Sequence, residues 1–257
     1  MYSSQLLEMI FIRSNSYRNN KPISMSYNSI RRDRRRMTCL IHARNKYKTL
    51  VASDSWNTSS IHNHMIQKIT INKKFPCILS SAGENSATYD NGDIVNILDF
   101  MNAFVQRYNG YNFQECLHEL LEKSYKFIND MRLNNDYEKV VQYFIVYYDV
   151  TNQTIISRAF EIVKNTSGAY SYELTERINL NFTSFGTYWY EINTKFFKTV
   201  KILFIKEKVF KIIKKYSKLE SKLPIDERKV GGPIQWAQIN RQGKLIHSNN
   251  IVSCKNI

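Results

Sequence analysis

The spacing of hydrophobic residues divides the chain into segments of different period. The first 36 residues show no sustained period, whereas from Thr38 onward short apolar runs and alternation predict strands. Polar turns, or turns containing Gly or Pro, separate these runs. The first four predicted strands span 38–43, 48–53, 67–72 and 77–81.

The period then changes to that of amphipathic helices. Ile97, Met101 and Val105 recur on one helical face, and Asn109-Gly110 interrupts the pattern before a second helix. Strands, a further helical block and a closing hairpin follow. In chain order these predictions are helices over 93–108 and 112–132, strands over 141–148 and 154–161, a helical block from Gly186 to about Lys222, and hairpin strands over 233–240 and 244–248.

The order of the predicted elements indicates the fold class. Helices grouped around mainly antiparallel strands are typical of an α+β domain, because each element must bury its apolar face against another layer. Two sheets stacked face to face between helix pairs would meet that need. We therefore expect a basic leader, propeptide or disordered tail over 1–37 and one folded domain over 38–257.

The positive charge of the chain is concentrated in two places. The net charge is +15, and residues 1–36 and 201–222 each carry eight Lys or Arg against two acids. The arginine-rich cluster at 31–36 could contact phosphates, belong to an organelle transit peptide or be a solvated tail. No basic groove interleaved with aromatic residues accompanies it, which argues against a nucleic acid partner.

The lysine-rich segment 201–222 has helical spacing of its apolar residues. Ile205, Val209 and Ile213 recur on one face with lysines between them, which predicts an amphipathic helix. Such a helix suits a membrane surface or the ordinary surface of a globular protein, and we favour the second. No uncharged apolar run approaches the ~18 residues of a membrane span, so we expect no membrane partner.

Cysteines and histidines give no pattern of a metal site. The four cysteines lie far apart without a CxxC pair, which favours a reducing, cytoplasmic location. His118-Glu119 lacks the second histidine of a zinc helix, and His62 and His64 have no evident third ligand. Phosphate-loop, dinucleotide and serine-hydrolase motifs are missing from the sequence. We therefore expect neither a metal nor a cofactor.

Four residues could form a hydrolytic centre if Thr38 were the chain terminus. The Thr38 hydroxyl needs a base, and a free α-amino group that titrates near ~7.7–8.0 could take its proton. Lys68 would hold that amine partly neutral, and Asp54 would orient Lys68. A backbone N–H at Gly83 would stabilise the oxyanion of the tetrahedral intermediate. This chemistry requires the removal of residues 1–37.

The same residues carry a resemblance to a known family. From Thr38 to about His247 the chain resembles the proteasome β-subunit and HslV-like members of the N-terminal nucleophile (Ntn) hydrolase superfamily. The resemblance implies a four-layer αββα sandwich, a peptide or protein substrate, and a homo-oligomer. It also implies catalytic roles for Thr38, Asp54, Lys68 and Gly83. The matching motifs are Met37-Thr38-Cys39, Ala52-Ser53-Asp54-Ser55, Lys68 before an apolar strand, Ala82-Gly83 and Gly231-Gly232.

The chain departs from the family pattern at the supporting positions. Ser184 or Thr187 would take the place of the serine in the family's Gly-Ser-Gly. Glu227, with Asp226 beside it, stands where the family has an aspartate before the Gly-Gly pair, and Val230 stands at the following serine position. The interval from Thr38 to Lys68 is also slightly short, which indicates a deletion around 58–64.

The residue before Thr38 leaves two routes to a free terminus. Met37 could be the true start, because an aminopeptidase removes methionine before a small residue, or residues 1–37 could be a propeptide. We expect an N-terminal threonine peptidase or amidase with Thr38 as its nucleophile. The alternative is a catalytically inactive, proteasome-like structural or partner-binding subunit.

Overall fold

The computed structural model describes residues 38–56, 66–88, 94–130, 139–164, 172–178, 181–186, 192, 205–225 and 227–249. The predictions for the leader 1–37, for the segment around 58–64, and for Thr187 and Asp226 lie outside these residues.

Strands dominate both ends of the described chain, and helices occupy two blocks between them. In chain order the strands are β1 (Cys39–Arg44), β2 (Lys48–Ser53), β3 (Ile69–Asn72), β4 (Cys77–Gly83), β5 (Ser86–Thr88), β6 (Ile94–Asn96), β7 (Lys139–Asp149), β8 (Thr154–Lys164), β9 (Tyr172–Ile178), β10 (Phe182–Gly186), β11 (Gln235–Asn240) and β12 (Leu245–His247). The helices are α1 (Ile97–Arg107), α2 (Phe113–Asp130) and α3 (Ile205–Glu220).

Two five-stranded antiparallel sheets contain most of these strands. The first has the order β10-β1-β2-β11-β12 and the second has the order β3-β4-β7-β8-β9, while β5 and β6 form a separate ribbon. In the first sheet β1 lies between β2 and β10, with Leu40 opposite both Ser53 and Phe185. The start of β1 is therefore enclosed by a strand on each side.

Three clusters of buried apolar residues hold the elements together. One joins α1 and α2 to the second sheet, one contains residues of both five-stranded sheets, and one joins α3 to the first sheet. Alternation along β1 explains how one strand serves two clusters, since successive side chains point to opposite faces. Leu40 belongs to the cluster shared by the two sheets, whereas Cys39 and Ile41 belong to the cluster that contains α3.

The helix predicted over 93–108 begins later than the pattern indicated. Residues Ile94–Asn96 form β6, and α1 begins at Ile97. Asn96 is the N-cap, and its side chain accepts a hydrogen bond from the Leu98 N–H at 2.9 Å. This bond satisfies one of the N–H groups that the first helical turn leaves without a partner, so the cap fixes where the helix begins.

Helix α3 confirms the amphipathic prediction for the lysine-rich segment. Its buried residues recur at helical spacing and pack against the first sheet; they are Ile205, Val209, Ile212, Ile213, Tyr216 and Glu220. None of the helices in the described part of the chain is long and apolar enough to cross a membrane.

His42 is a polar residue placed within the packed interior. It lies on β1, is 2% exposed, and neither ring nitrogen has a hydrogen-bond partner among the described residues. Its ring centroid lies 5.5 Å from that of Phe144 on β7. Burial, with a smaller contribution from the charge of Arg44, lowers the pKa of His42 to about 3. The imidazole is therefore neutral in the folded protein at neutral pH.

We predict that His42 makes the fold sensitive to acid. Its ordinary pKa is 6.5, so below that pH the unfolded chain binds a proton that the folded protein excludes. The contribution of His42 to the free energy of unfolding should fall by up to about 1.4 kcal/mol per pH unit as the pH drops from 6.5 towards 3. Urea denaturation at a series of pH values measures this.

The His42→Leu variant should lose this part of the pH dependence, because leucine binds no proton. His118→Leu, which removes an exposed imidazole from α2, is the matched control. Equal pH slopes for wild type and His42→Leu would contradict the prediction.

Candidate active site

The hairpin of β1 and β2 places Asp54 against the residue that follows Thr38. Because Leu40 pairs with Ser53, Asp54 comes opposite Cys39. The Asp54 N–H donates to the Cys39 carbonyl at 3.3 Å, and the Cys39 N–H donates to Asp54 Oδ1 at 2.8 Å. The carboxylate is thus fixed by the backbone at the beginning of β1.

Two further backbone N–H groups hold the Asp54 carboxylate. Those of Trp56 and Gly231 donate to Oδ2 at 3.1 and 3.2 Å. The Ser55 N–H donates to the Gly231 carbonyl at 3.1 Å, which ties this segment to the one before β11. With the Cys39 N–H, three backbone donors therefore converge on one buried carboxylate. Hydrogen bonds to a charged acceptor are stronger than those between neutral groups, so the three donors hold the carboxylate in place.

Lys68 forms an ion pair with Asp54 inside the protein. Its Nζ lies 3.2 Å from both carboxylate oxygens, and both side chains are fully buried. Burial lowers the pKa of Lys68, because the charged form loses its hydration, while the charge of Asp54 opposes that shift. Lys68 is therefore an ammonium group that releases its proton more readily than an exposed lysine does.

Gln235, the first residue of β11, positions the backbone around Lys68. Its side-chain oxygen accepts the Lys68 N–H at 2.8 Å, and its side-chain nitrogen donates to the Ile66 carbonyl at 2.6 Å. The Ile66 N–H in turn donates to the Ser55 carbonyl at 2.9 Å. Gln235 thus holds the segment that carries the ammonium beside the segment that carries the carboxylate.

Thr38 is fully buried at the start of this arrangement. Gly186, at the end of β10, comes so close that a Cβ atom built on it would lie 1.9 Å from the Thr38 carbonyl oxygen. Gly186 also has φ of +93°, a conformation that residues with a side chain rarely adopt. Only glycine fits at this contact, so β10 fixes the path of the backbone at Thr38.

Gly83 lies at the end of β4, two residues after Ser81, which contacts Lys68. The Ser81 N–H donates to the Lys68 carbonyl at 3.1 Å, and Ala82 is buried in the cluster shared by the two sheets. Gly83 has φ of +95° and pairs with Val141 on β7. The structure therefore links the strand of Gly83 to Lys68 through the backbone.

The predicted supporting residues that the structure describes lie in different surroundings. Ser184 is buried on β10, opposite Ile41 of β1. Glu227 is exposed in the turn after α3, where its N–H donates to the Pro224 carbonyl at 3.0 Å. Val230 is buried in the cluster that contains α3.

Cys39 is held as a neutral thiol although it adjoins the proposed nucleophile. Burial, and next the charge of Asp54, raise the pKa of the Cys39 thiol well above its ordinary value. A thiol reacts as a nucleophile through its thiolate, so this environment keeps Cys39 unreactive. Among the described residues no group of His, Cys, Asp and Glu side chains is arranged to hold a metal ion.

The sequence predicted that Asp54 would lie beside Lys68, and the structure brings the two side chains together. It did not predict the contacts of Gln235 or of the Trp56 backbone N–H. A glutamine at a strand start carries no signal of such a role, because its contacts depend on how two distant segments meet. The Gly231-Gly232 pair was noted, and the structure places the Gly231 N–H on Asp54.

Comparison with known proteins adds no family to this picture. No protein-family model matches the chain, and no curated protein matches it.

We predict unequal costs for removing the two members of the ion pair. Asp54→Leu leaves the Lys68 ammonium and three backbone N–H groups without an acceptor, and should lower the free energy of unfolding by roughly 3–5 kcal/mol. Lys68→Met should cost less, because Asp54 keeps its three N–H donors. Guanidinium denaturation of both variants measures the difference.

The double variant Asp54→Leu/Lys68→Met is the control for the effect of a buried Lys68 ammonium that has no counterion. It should be more stable than Asp54→Leu alone, because no ammonium is then buried without a counterion. Equal losses in the two single variants would show that the N–H groups around Asp54 do not stabilise it.

We also predict that Gly186→Ala disrupts the start of β1. The substitution should cost more than about 3 kcal/mol, because the added Cβ collides with the Thr38 carbonyl and the backbone is strained. Gly110→Ala is the matched control: its φ is +91°, but its Cβ would come no closer than 3.2 Å, to the Phe75 ring. Similar unfolding midpoints for the two variants would refute a special contact at Thr38.

Proposed function

We propose that this protein is an N-terminal threonine hydrolase of the Ntn class, a peptidase or amidase whose nucleophile is Thr38. The observation that carries the proposal is the fully buried Asp54–Lys68 pair, which is fixed by the backbone N–H of Cys39. The proposed chemistry needs a lysine and a carboxylate beside the threonine. Here the carboxylate of the buried pair is hydrogen-bonded to Cys39, the residue that follows Thr38.

The proposed reaction begins when residues 1–37 have been removed. The Thr38 Oγ attacks the carbonyl carbon of the substrate amide, and the free α-amino group of Thr38 takes the hydroxyl proton. The nearby Lys68 ammonium keeps that amine neutral and favours the developing alkoxide. The Gly83 N–H would donate to the oxyanion.

The tetrahedral intermediate then collapses to an ester. The C–N bond breaks, the protonated α-amino group returns its proton to the leaving amine, and the acyl group stays on Thr38 Oγ. A water molecule attacks the ester while the α-amino group accepts its proton. The C–Oγ bond then breaks, the α-amino group returns that proton to Thr38 Oγ, and the carboxylic acid leaves. While residues 1–37 remain attached, the α-nitrogen is an amide and cannot accept a proton, so the unprocessed chain is inactive.

The proposed fold is a four-layer αββα sandwich. Its support is the membership of the three apolar clusters: α1 and α2 with the second sheet, the second sheet with the first, and the first sheet with α3. These shared clusters give the order of the proposed layers: α1 and α2, the second sheet, the first sheet, and α3.

The proposal extends to the setting in which the enzyme works. Peptide or protein substrates and assembly into a homo-oligomer follow from the resemblance, and we expect no cofactor because the sequence carries no cofactor motif. A cytoplasmic location agrees with Cys39, Cys77 and Cys116, which are buried free thiols.

A catalytically inactive, proteasome-like subunit is the second candidate. The exposure of Glu227 and the packing of Val230 against α3 favour it, because neither residue supports the centre as the corresponding acid and serine would. On this alternative the buried pair serves only to fix the start of β1.

Activity of Thr38 variants separates the two candidates. A chain that begins at Thr38 should hydrolyse fluorogenic peptides, whereas Thr38→Ala should lose at least about a thousandfold in kcat/KM. The rate should rise with pH over a range below the ~7.7–8.0 of an ordinary α-amino group, because only the neutral amine is a base and the charge of Lys68 lowers the pKa of that amine. Mass spectrometry of the purified full chain reports whether Thr38 is exposed.

Lys68→Met supplies the matched control for the role of the ammonium. The loss of kcat/KM in Lys68→Met should approach that in Thr38→Ala. The double variant Thr38→Ala/Lys68→Met should lose little more, because the effects of residues that act as one unit are not additive. No turnover by a folded chain with a verified Thr38 terminus would establish the inactive alternative.

A further inference from the structure

Helix α3 presents a continuous row of lysines on its outer side. These residues, termed the lysine row, are Lys208, Lys211, Lys215, Lys218 and Lys222. The first four lie on α3, where their spacing of three and four residues places them on one helical face, and Lys222 lies in the turn after the helix. Four of them are exposed and Lys208 is half-buried. From Lys208 to Lys218 the row spans roughly 15 Å along the helix.

Few acids offset the charge of the lysine row. Glu207 lies in the first turn of α3, while Glu220 is buried and accepts a hydrogen bond from the Lys229 N–H at 3.0 Å. Glu227 is exposed in the turn after α3. Lys211 and Lys218 form no salt bridge with any carboxylate of the described residues. Lys211 and Lys218 therefore carry positive charge that no described carboxylate pairs with.

Exposed aliphatic residues stand at the C-terminal end of the lysine row. Leu219 is 46% exposed, and Leu223 and Ile225 in the following turn are 40% and 53% exposed. The Arg228 guanidinium holds this turn by donating to the carbonyls of Leu223 and Ser221 at 3.0 and 3.1 Å. Large apolar side chains therefore adjoin lysines in a turn that is held in place.

The residue types of this surface favour a lipid over the other polyanions. Lysine is depleted at protein–protein interfaces. Nucleic acid sites add arginine and aromatic side chains on which bases stack. On α3, however, Tyr216 is buried and Phe210 packs against Trp236 beneath Lys206. Lysines together with exposed Leu and Ile suit the charged headgroups and the acyl boundary of a bilayer.

We propose that α3 and the turn after it form a docking surface for an anionic lipid bilayer. The lysine row contacts the negatively charged headgroups, and Leu219, Leu223 and Ile225 enter the boundary between headgroups and acyl chains. The sequence analysis expected no membrane partner because the chain has no membrane span and because an ordinary surface helix was favoured over a membrane-surface helix. Docking on a bilayer surface needs no span. The exposure of the aliphatic residues could be seen only in the structure.

Co-sedimentation of the full chain with lipid vesicles tests the proposal. Wild type should bind vesicles of phosphatidylcholine and phosphatidylserine but not of phosphatidylcholine alone. Each lysine near an anionic surface contributes roughly fivefold to binding, so fourfold charge reversal should weaken it by more than about a hundredfold. The reversed residues are Lys211→Glu, Lys215→Glu, Lys218→Glu and Lys222→Glu.

A matched variant changes the net charge equally while keeping the lysine row. It carries Lys73→Glu, Lys74→Glu, Lys126→Glu and Lys244→Glu, all at exposed positions outside α3. This variant should retain most of the binding, and the basic leader, present in both variants, contributes equally to both. Circular dichroism confirms that each variant is folded.

Fluorescence reports the contact itself. A Leu223→Trp variant should show a blue-shifted emission on anionic vesicles, whereas Ile94→Trp, at the exposed Ile94 of β6, should not. Absence of vesicle binding, equal losses in the two fourfold variants, or equal shifts at both tryptophans would overturn the proposal. So would loss of duplex DNA binding, with unchanged vesicle binding, in the α3 variant.

Discussion

The pairing of Asp54 with Lys68 removes two full charges from water, and the surrounding structure must compensate both. Burial of an ion costs several kcal/mol unless its counterion and hydrogen-bond partners are well placed. The three backbone donors to Asp54 come from β1, from the end of β2 and from the segment before β11. A shift of one residue between β1 and β2 would separate the carboxylate from the Cys39 N–H, so the ion pair and the strand register depend on each other.

Several locally unfavourable features occur on or beside β1. Thr38 and His42 are polar and buried, and Gly186 has a positive φ where it touches the Thr38 carbonyl. Natural proteins depart from local rules mainly where function requires it. The apolar clusters on both faces of the first sheet supply the stability that permits these features. The Thr38 hydroxyl and the Cys39 thiol are neighbours in the chain. Because the pKa of the Cys39 thiol is raised, Thr38 is the reactive group in the proposed chemistry.

The sequence predicted well those elements whose signal is local. The strand predicted over 48–53 coincides with β2, and the Asn109-Gly110 break separates α1 from α2 as expected. The sequence did not predict elements that depend on pairing with a strand distant in the chain. The strand β10 was not predicted, because Phe182–Gly186 is short and its strand character comes from pairing with β1. Helix α1 started late because the Asn96 cap outweighs the apolar period.

The residues of the candidate site also include some that the sequence could predict and some that it could not. Asp54 and Lys68 could be named because their order and spacing in the chain resemble a known pattern, and the structure brings the two side chains together. Gln235 could not be named, since its role depends on a contact between segments 167 residues apart. The four-layer arrangement, the nucleophile and the substrate class rest on the proposal.

The position of Gln235 in the chain has a consequence for synthesis. Lys68 obtains its backbone partner, and Asp54 its third donor at Gly231, only after more than four-fifths of the chain has been made. A nascent chain that ends before β11 holds every residue of the proposed reaction but lacks the Gln235 side chain that holds the Lys68 segment beside Asp54. Contacts between such distant segments also form late in folding, because loop closure must come first. The contacts around the proposed hydrolytic centre are therefore complete only once β11 has been made.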